Sequence, residues 1–130
     1  MTREELKSAA VSMLDRAYAP YSSFPVGAAL ECNDGTVYTG CNVENAAYSA
    51  GICAERNAIF HAVAEGHTRF RRIVIAGRSR DFCVPCGMCR QVMREFSEEL
   101  EIICLNAENS EQTFTLTELL PHSFGPEHLG

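Results

Sequence analysis

No stretch of this sequence approaches the roughly 20 consecutive apolar residues that a membrane-spanning helix requires. The sequence also lacks a surplus of basic residues, because 17 acidic side chains face 11 basic ones and the formal net charge is −6. An extended nucleic-acid backbone attracts a basic surface, so this balance argues against a polymer and favours a small neutral ligand. The N-terminal residues are charged and contain no apolar signal-peptide core. We therefore expect a cytoplasmic protein with neither membrane nor nucleic-acid polymer among its partners.

One basic cluster departs from this acidic balance. We interpret it as the solvated flank of a strand, which can pair with acidic groups across a subunit interface. Its members are Arg69, Arg71, Arg72, Arg78 and Arg80.

The chain has the length of one domain, which we place at residues 1–130. A domain of this size buries roughly two-thirds of the surface of its unfolded chain, so its core needs no disulfides. The composition, 46% hydrophobic and 22% charged, is typical of a globular protein. The seven cysteines are an odd number. In a reducing compartment, closely spaced cysteines are more often metal ligands or reactive thiols than disulfides.

Local signals predict helices and strands that alternate along the chain. Thr2 and Glu5 form a capping box before apolar residues at helical spacing, and Asn33-Asp34-Gly35 is a hairpin turn signal. The predicted helices run from Thr2 to about Ala17, from Cys53 to Glu65, from Pro85 to about Phe96 and from Thr117 to Leu120. The predicted strands are 26–32, 37–41, 73–76, 102–105 and 113–115.

The order of these elements predicts an α/β fold. A hairpin makes its two strands antiparallel, whereas strands separated by helices run parallel through right-handed crossovers. We therefore expect a mixed five-stranded sheet with helices on both faces, which is a three-layer α/β/α sandwich. Cys32, Cys41 and Cys104 fall in predicted strands and are assigned to the core. None of the histidines has metal-ligand spacing, and we assign them no role.

Three cysteines lie where two predicted helices begin. Cys53 starts one helix, and Cys86 and Cys89 follow Pro85 at the start of the other. The free N–H groups and partial positive charge of a helix N-terminus lower the pKa of a thiol and favour the thiolate that a metal requires. Two cysteines three residues apart at a helix start place both sulfurs within reach of one ion at about 2.3 Å. The spacing predicts one Zn²⁺ per subunit.

Three protein ligands leave one position of a tetrahedral zinc open, which is typical of a catalytic site. A bound zinc ion can lower the pKa of a water molecule from about 15.7 towards ~7. Glu55 follows Cys53 by two residues, in the same first helical turn, and is the candidate acceptor of that proton. Arg56 and the two helix N-termini are candidates to offset the negative charge of three thiolates.

Two segments resemble the signature of zinc deaminases, in which a ligand-x-Glu segment precedes Pro-Cys-x-x-Cys. They are Cys53-Ala54-Glu55-Arg56 and Pro85-Cys86-Gly87-Met88-Cys89. Because the first ligand is cysteine rather than histidine, the chain looks like the short-chain, homotetrameric nucleoside cytidine deaminases. The resemblance covers nearly the whole chain, although Val84 stands where this family often has Ser or Thr. It extends to Tyr18-Ala19-Pro20-Tyr21-Ser22, to Gly40-Cys41-Asn42-Val43-Glu44-Asn45-Ala46 and to Leu119-Leu120-Pro121.

This resemblance implies the cytidine deaminase fold, a homotetramer with shared active sites, and particular substrate contacts. Asn42 and Glu44 would hydrogen-bond the ribose hydroxyls, and Phe24 would pack on the pyrimidine ring. The Ala54 backbone and Glu55 would read the edge of the cytosine. The residues that would help to line a neighbouring subunit's pocket are Ala46, Ala47, Tyr48 and Phe124.

The chemistry of the residue types agrees with these roles. Asn42 and Glu44, two apart on an extended segment, lie on one side and offer hydrogen-bonding groups to a ribose. The face of Phe24 can stack on a base. We therefore expect zinc-dependent hydrolytic deamination of cytidine and 2'-deoxycytidine to uridine and 2'-deoxyuridine plus ammonia, in pyrimidine salvage, without an organic cofactor.

Three alternatives remain open. Cys53, Cys86 and Cys89 could be apolar thiols of a core. Cys83 could join them in a closed, all-cysteine structural zinc site without chemistry, although Pro85 stiffens the intervening loop. An enzyme of this kind could also act on another aminated base, such as a different aminopyrimidine, an antibiotic nucleoside, guanine or a base in RNA.

Overall fold

The computed structural model describes all 130 residues. Its helices are α1 (Arg3–Ser12), α2 (Ala54–Ala64), α3 (Gly87–Phe96) and the short α4 (Leu116–Leu119). Its strands are β1 (Val26–Cys32), β2 (Val37–Cys41), β3 (Phe70–Gly77), β4 (Glu101–Leu105) and β5 (Glu111–Thr115). Every predicted helix and strand is present.

The differences from prediction lie at the boundaries. The capping box at Thr2 is confirmed, but the first helix ends as a 3₁₀ turn over Met13–Arg16. β3 starts at Phe70 rather than at Ile73. Cys86, not Pro85, is the N-cap of α3, because its extended backbone precedes the first helical residue.

The five strands form one mixed sheet in the order β2-β1-β3-β4-β5. β1 pairs antiparallel with both β2 and β3, β3 and β4 are parallel, and β4 and β5 are antiparallel. The parallel pair is the one that α3 connects, as a right-handed crossover requires. The predicted mixed five-stranded sheet is confirmed.

Successive residues of β1 face opposite sides of the sheet, and the two sides are covered by different helices. Ala28 and Leu30 pack with α2 and α3 in the larger core cluster, which also holds Met93. Ala29 packs in the smaller cluster with Leu6 and other residues of α1. The three-layer arrangement therefore follows from the alternation of the buried strand residues.

Gly40 allows α2 to lie directly on β2. A Cβ at this position would lie 2.5 Å from the Ala54 carbonyl oxygen and 2.5 Å from the Ala58 nitrogen. Both are backbone atoms of the helix, so no side chain other than hydrogen fits without displacing α2. The approach fixes the first turn of α2, where Glu55 lies, against the sheet.

The strand directions bring the starts of α2 and α3 together. β2 and β3 are each antiparallel to β1, so they point the same way and end at the same edge of the sheet. Each is followed by a loop and then by a helix that returns across the sheet. The N-termini of both helices therefore lie outside the carboxyl ends of the strands, where ligands bind in open α/β sheets.

Three of the five clustered arginines pair with acidic groups of this same chain rather than of another subunit. Arg72 Nε donates to the buried carboxylate of Glu31 at 2.8 Å, and Arg71 approaches the same group at 3.7 Å. Arg78 pairs with Asp15 at 2.7 Å. None of the helices has the length and apolar composition needed to cross a membrane.

Candidate active site

The sulfur atoms of Cys53, Cys86 and Cys89 converge where α2 and α3 begin. All three lie within 4.8 Å of one another, and Cys53 Sγ is 3.8 Å from Cys86 Sγ. Cys53 and Cys86 are the N-caps of their helices, and Cys89 lies in the first turn of α3. Residues from two separate helices thus form one cluster, with Cys86 exposed and Cys89 buried.

The cluster favours one negative charge by itself. Hydrogen bonds from Cys89, Arg56 and Cys86 lower the pKa of Cys53 to about 5, against the effect of burial. The pKa of Cys89 is raised, because its thiol donates to Cys53 and because it is buried. Ionisation of Cys53 and Cys89 together is therefore unfavourable without an added cation. Three soft sulfur donors in a partly buried site fit Zn²⁺, and three protein ligands are the number that a catalytic zinc site uses.

Glu55 lies beside this cluster with its side chain buried in the first turn of α2. Burial raises the pKa of Glu55 to about 7, and the nearby Cys53 thiolate raises it further, against the effects of its own backbone N–H, Cys89 and Arg56. A carboxyl with a pKa near neutrality can both accept and donate a proton. The position predicted from the sequence therefore has the environment of a proton carrier.

Cys83 lies outside the cluster. Its sulfur is not among those that converge, and its side chain packs against the larger core cluster near Gly77. Burial raises the pKa of Cys83 to about 12, so its thiol is neutral at ordinary pH. The closed four-cysteine site is therefore not formed, and the cluster keeps three ligands.

A cleft of about 380 Å³ opens beside Cys53. It brings together Cys53, Asn42, Glu44, Tyr48 and Arg56 from the predicted set. The other predicted site residues do not line this cleft. Among them, Ala54 and Glu55 are buried, whereas Phe24, Ala46, Ala47 and Phe124 are exposed.

Asn42 and Glu44 are both held by backbone groups of the first residue of β1 and of the loop before it. Asn42 Oδ1 accepts from the Val26 N–H at 2.8 Å, and its Nδ2 donates to the Phe24 carbonyl at 2.9 Å. Glu44 Oε1 accepts from the N–H of Tyr21 at 3.0 Å. Each side chain keeps hydrogen-bonding capacity for a ligand, because an amide has four sites and a carboxylate about four.

Ser22 is a site residue to which sequence reasoning assigned no role. Its hydroxyl donates to the Glu44 carboxylate and accepts from the Phe24 N–H at 3.0 Å. Its backbone N–H also donates to Glu44 Oε1 at 3.1 Å. Ser22 therefore connects two predicted substrate contacts. Its sequence signals were its position between two prolines in a loop and its place in the family-like segment Tyr18-Ala19-Pro20-Tyr21-Ser22.

Most of the remaining cleft residues come from the segment between β2 and α2, and Tyr21 comes from the loop before β1. Tyr48 is 79% exposed, and its ring lies 6.1 Å from that of Tyr21. This segment is tied back to itself where Val43 and Ile52 exchange backbone hydrogen bonds. The other cleft-lining residues without a predicted role are Tyr21, Val43, Asn45, Gly51 and Ile52.

Comparison with known proteins identifies the family. Residues 1–105 match the family model described as the cytidine and deoxycytidylate deaminase zinc-binding region. The chain is 42% identical to a cytidine deaminase of Sporosarcina psychrophila, over 99% of this chain and 96% of that protein. It is also 42% identical to a probable cytidine deaminase of Dictyostelium discoideum, over 99% of this chain and 90% of that protein.

Solved structures agree in fold. The crystal structure of cytidine deaminase from Burkholderia pseudomallei superposes with a TM-score of 0.91 at 45% identity, covering 95% of this chain and all of the other. That of Mycobacterium tuberculosis gives a TM-score of 0.83 at 35% identity, covering 96% and 98%. The family signature, the three-cysteine cluster and the sheet coincide in one chain. This chain belongs to the cytidine and deoxycytidylate deaminase family and has its zinc-binding region.

Proposed function

We propose that this protein catalyses the hydrolytic deamination of cytidine and 2'-deoxycytidine to uridine and 2'-deoxyuridine plus ammonia, as a step of pyrimidine salvage. The observation that carries the proposal is the convergence of Cys53, Cys86 and Cys89 beside buried Glu55 and a nucleoside-sized cleft. Membership of the deaminase family supports the same reaction.

Cys53, Cys86 and Cys89 would hold one Zn²⁺ per subunit. When bound, zinc supplies the acidity that makes a water molecule a nucleophile near neutral pH. Arg56 offsets part of the thiolate charge, since its Nη2 donates to Cys53 Sγ at 3.3 Å. The N-termini of α2 and α3 contribute partial positive charge to the same sulfurs.

Glu55 is the proposed proton carrier. It accepts a proton from the attacking water and delivers it to N3 of the cytosine ring, and it then delivers the second water proton to the leaving amine. A C4–O bond forms, the C4–N4 bond breaks, and ammonia departs. Burial keeps these transfers away from bulk water, so the carboxyl and the base exchange protons directly.

Residues in the cleft and around it would hold the nucleoside. Asn42 and Glu44 bind ribose hydroxyls, Phe24 packs on the pyrimidine, and the Ala54 backbone together with Glu55 reads the cytosine edge. The hydrogen bonds of Asn42 and Glu44 to the loop support this role, because groups already oriented lose little entropy on binding.

A homotetramer with shared active sites is the proposed assembly. Exposed large apolar side chains support it, since burial at a subunit interface would remove their apolar surface from water. In this assembly Ala46, Ala47, Tyr48 and Phe124 line a neighbouring subunit's pocket. The large exposed apolar side chains include Tyr48, Phe60, Met88 and Phe124. Sedimentation equilibrium should give four times the chain mass of 14.3 kDa, and a monomer would contradict the assembly.

The proposal also treats residues 1–130 as one domain. Its support is the continuous sheet, to which both ends of the chain contribute contacts. All seven cysteines are free thiols, which is consistent with a reducing compartment such as the cytoplasm.

The decisive experiment follows the ultraviolet absorbance of cytidine mixed with purified, zinc-loaded protein. Wild type should convert cytidine and deoxycytidine, whereas Glu55→Gln should lose about 10²- to 10⁴-fold in kcat with its zinc content unchanged. Glu65→Gln, an exposed glutamate at the other end of α2, is the matched control and should remain fully active.

Two results would contradict the proposal. Near-full activity of Glu55→Gln with zinc bound would remove the proton carrier. Full zinc content without turnover of either nucleoside would move the reaction to another aminated base. Competition by long single-stranded RNA or DNA that weakens steeply with salt would point to a polymer substrate instead.

A further inference from the structure

An arm formed by residues 121–128 lies against α3 and centres on Arg94, whose side chain is only 8% exposed. Arg94 Nε donates to Ser123 Oγ at 2.7 Å, and its Nη2 forms an ion pair with Glu127. A Cβ at Gly125 would lie 2.3 Å from Arg94 Nη1, so the arm backbone rests directly on the guanidinium. One side chain of α3 therefore contacts three residues that surround position 124.

The residue between these contacts, Phe124, is held by its backbone and left exposed at its ring. Gln91 Nε2 donates to the Phe124 carbonyl oxygen at 2.9 Å. The ring is 56% exposed and stacks only on His128, at 5.2 Å between ring centroids. His128 in turn accepts from the Gly125 N–H at 3.0 Å. If the arm served packing alone, we would expect its aromatic ring to be buried, because burying a ring removes more apolar surface from water than burying the arm backbone does.

We propose that Arg94 is a positioning residue, which holds the arm so that the exposed Phe124 ring meets the nucleoside pocket of another copy of this chain. The inference rests on the proposed function, in which Phe124 lines a neighbouring subunit's pocket. A ring fixed before binding loses less conformational entropy on contact with substrate than a ring on a loose segment. Arg94 supplies that rigidity from α3, the helix that also carries Cys89.

The chain offers a matched pair of variants for this test. Two carboxylates contact the same Arg94 nitrogen. One belongs to Glu127 in the arm, and the other, at 3.4 Å, belongs to Glu98, which lies four residues after Arg94 and just beyond the end of α3. Both are exposed. Glu127→Gln weakens the hold on the arm, whereas Glu98→Gln removes a similar charge without touching the arm.

The first measurement is steady-state deamination of cytidine by the zinc-loaded full chain. Arg94→Met and Glu127→Gln should raise KM about three- to tenfold, the range of one aromatic contact, while kcat changes less than about twofold. Glu98→Gln should leave KM unchanged. In a Phe124→Ala background, Arg94→Met should add nothing further to KM, because its effect acts through the missing ring.

The second measurement does not depend on activity. The chain has no tryptophan, so Phe124→Trp introduces a single fluorescent reporter in the arm. Adding Glu127→Gln or Arg94→Met should lower the fluorescence anisotropy of the introduced indole and increase its quenching by acrylamide. Adding Glu98→Gln should change neither quantity.

The outcomes distinguish a failure of the proposed role of Phe124 from a failure of the positioning role of Arg94. If Phe124→Ala leaves KM unchanged, the proposed role of Phe124 fails and the positioning role fails with it. If Phe124→Ala raises KM while Arg94→Met and Glu127→Gln do not, or if their effects add to it, only the positioning role is overturned. Should Arg94→Met not fold, as judged by circular dichroism and zinc content, Glu127→Gln decides the question alone.

Discussion

The guanidinium of Arg56 donates through Nη2 to the sulfur of Cys53 at 3.3 Å. The Nε atom of the same side chain is buried without any hydrogen-bond partner. A buried donor left unpaired costs about 1–3 kcal/mol, so the guanidinium is held where its own hydrogen bonding is incomplete. The attraction between this cation and the thiolate cluster accounts for its position.

Replacing Arg56 should therefore weaken metal binding. Arg56→Gln removes the positive charge beside Cys53 and should lower zinc affinity about 10- to 100-fold, whereas Arg56→Lys should lose less because the charge remains. Competition with a chromophoric chelator measures this directly. Arg80→Gln, which removes an exposed arginine without an ion pair, is the control. Equal zinc affinity in the wild type and in all three variants would contradict the charge-offsetting role of Arg56.

Ser22 orders the sugar end of the cleft. Ser22→Ala deletes the hydroxyl that joins Glu44 to the Phe24 backbone and should raise KM for cytidine about two- to tenfold, with a smaller effect on kcat. Ser23→Gly is a suitable control. Its hydroxyl makes no hydrogen bond, and its φ of 56° suits glycine. Equal KM values for the two variants would contradict the ordering role.

Cys83 and Cys86 should behave differently although they are neighbours in sequence. Cys83→Ala removes a neutral, core-packed thiol and should keep one zinc per chain and full activity, with a loss of about 1 kcal/mol in unfolding free energy. Cys86→Ala should lose zinc and turnover together. Metal analysis of both dialysed variants tests this. Zinc loss from Cys83→Ala would restore the four-cysteine alternative.

The contact between Gly40 and α2 predicts a sharp difference between two glycines. Gly40→Ala places a methyl group 2.5 Å from helix backbone and should lower the free energy of unfolding by about 1–3 kcal/mol. Gly87→Ala, at the start of α3, meets no atom within 4 Å and should leave stability equal or slightly raised. Urea denaturation compares them. Equal midpoints would show that α2 can shift freely.

Much of this molecule follows from short-range signals. The capping box at Thr2 and the turn at Asn33-Asp34-Gly35 act within a few residues, so the first helix and the hairpin could be placed without tertiary information. The boundaries of some helices and strands, by contrast, depend on long-range contacts. Phe70 belongs to β3 because it pairs with Cys32 of β1, and these two residues are distant in sequence.

The candidate site likewise combines features that follow from local residue spacing with features that depend on long-range contacts. The candidate metal ligands could be predicted from residue spacing, because Cys86 and Cys89 share the start of one helix and Glu55 follows Cys53 within one turn. The packing of the two helices against the sheet brings the sulfurs of Cys53 and Cys86 to 3.8 Å and leaves Cys83 outside the cluster.

The same holds for the supporting contacts. Ser22 reaches Glu44, and Arg94 reaches the arm around Phe124, across separations of more than 20 residues. Such contacts depend on strand order and on the edge at which each helix begins. The local residue pattern does not predict those contacts, because they form only when the sheet and its helices pack together.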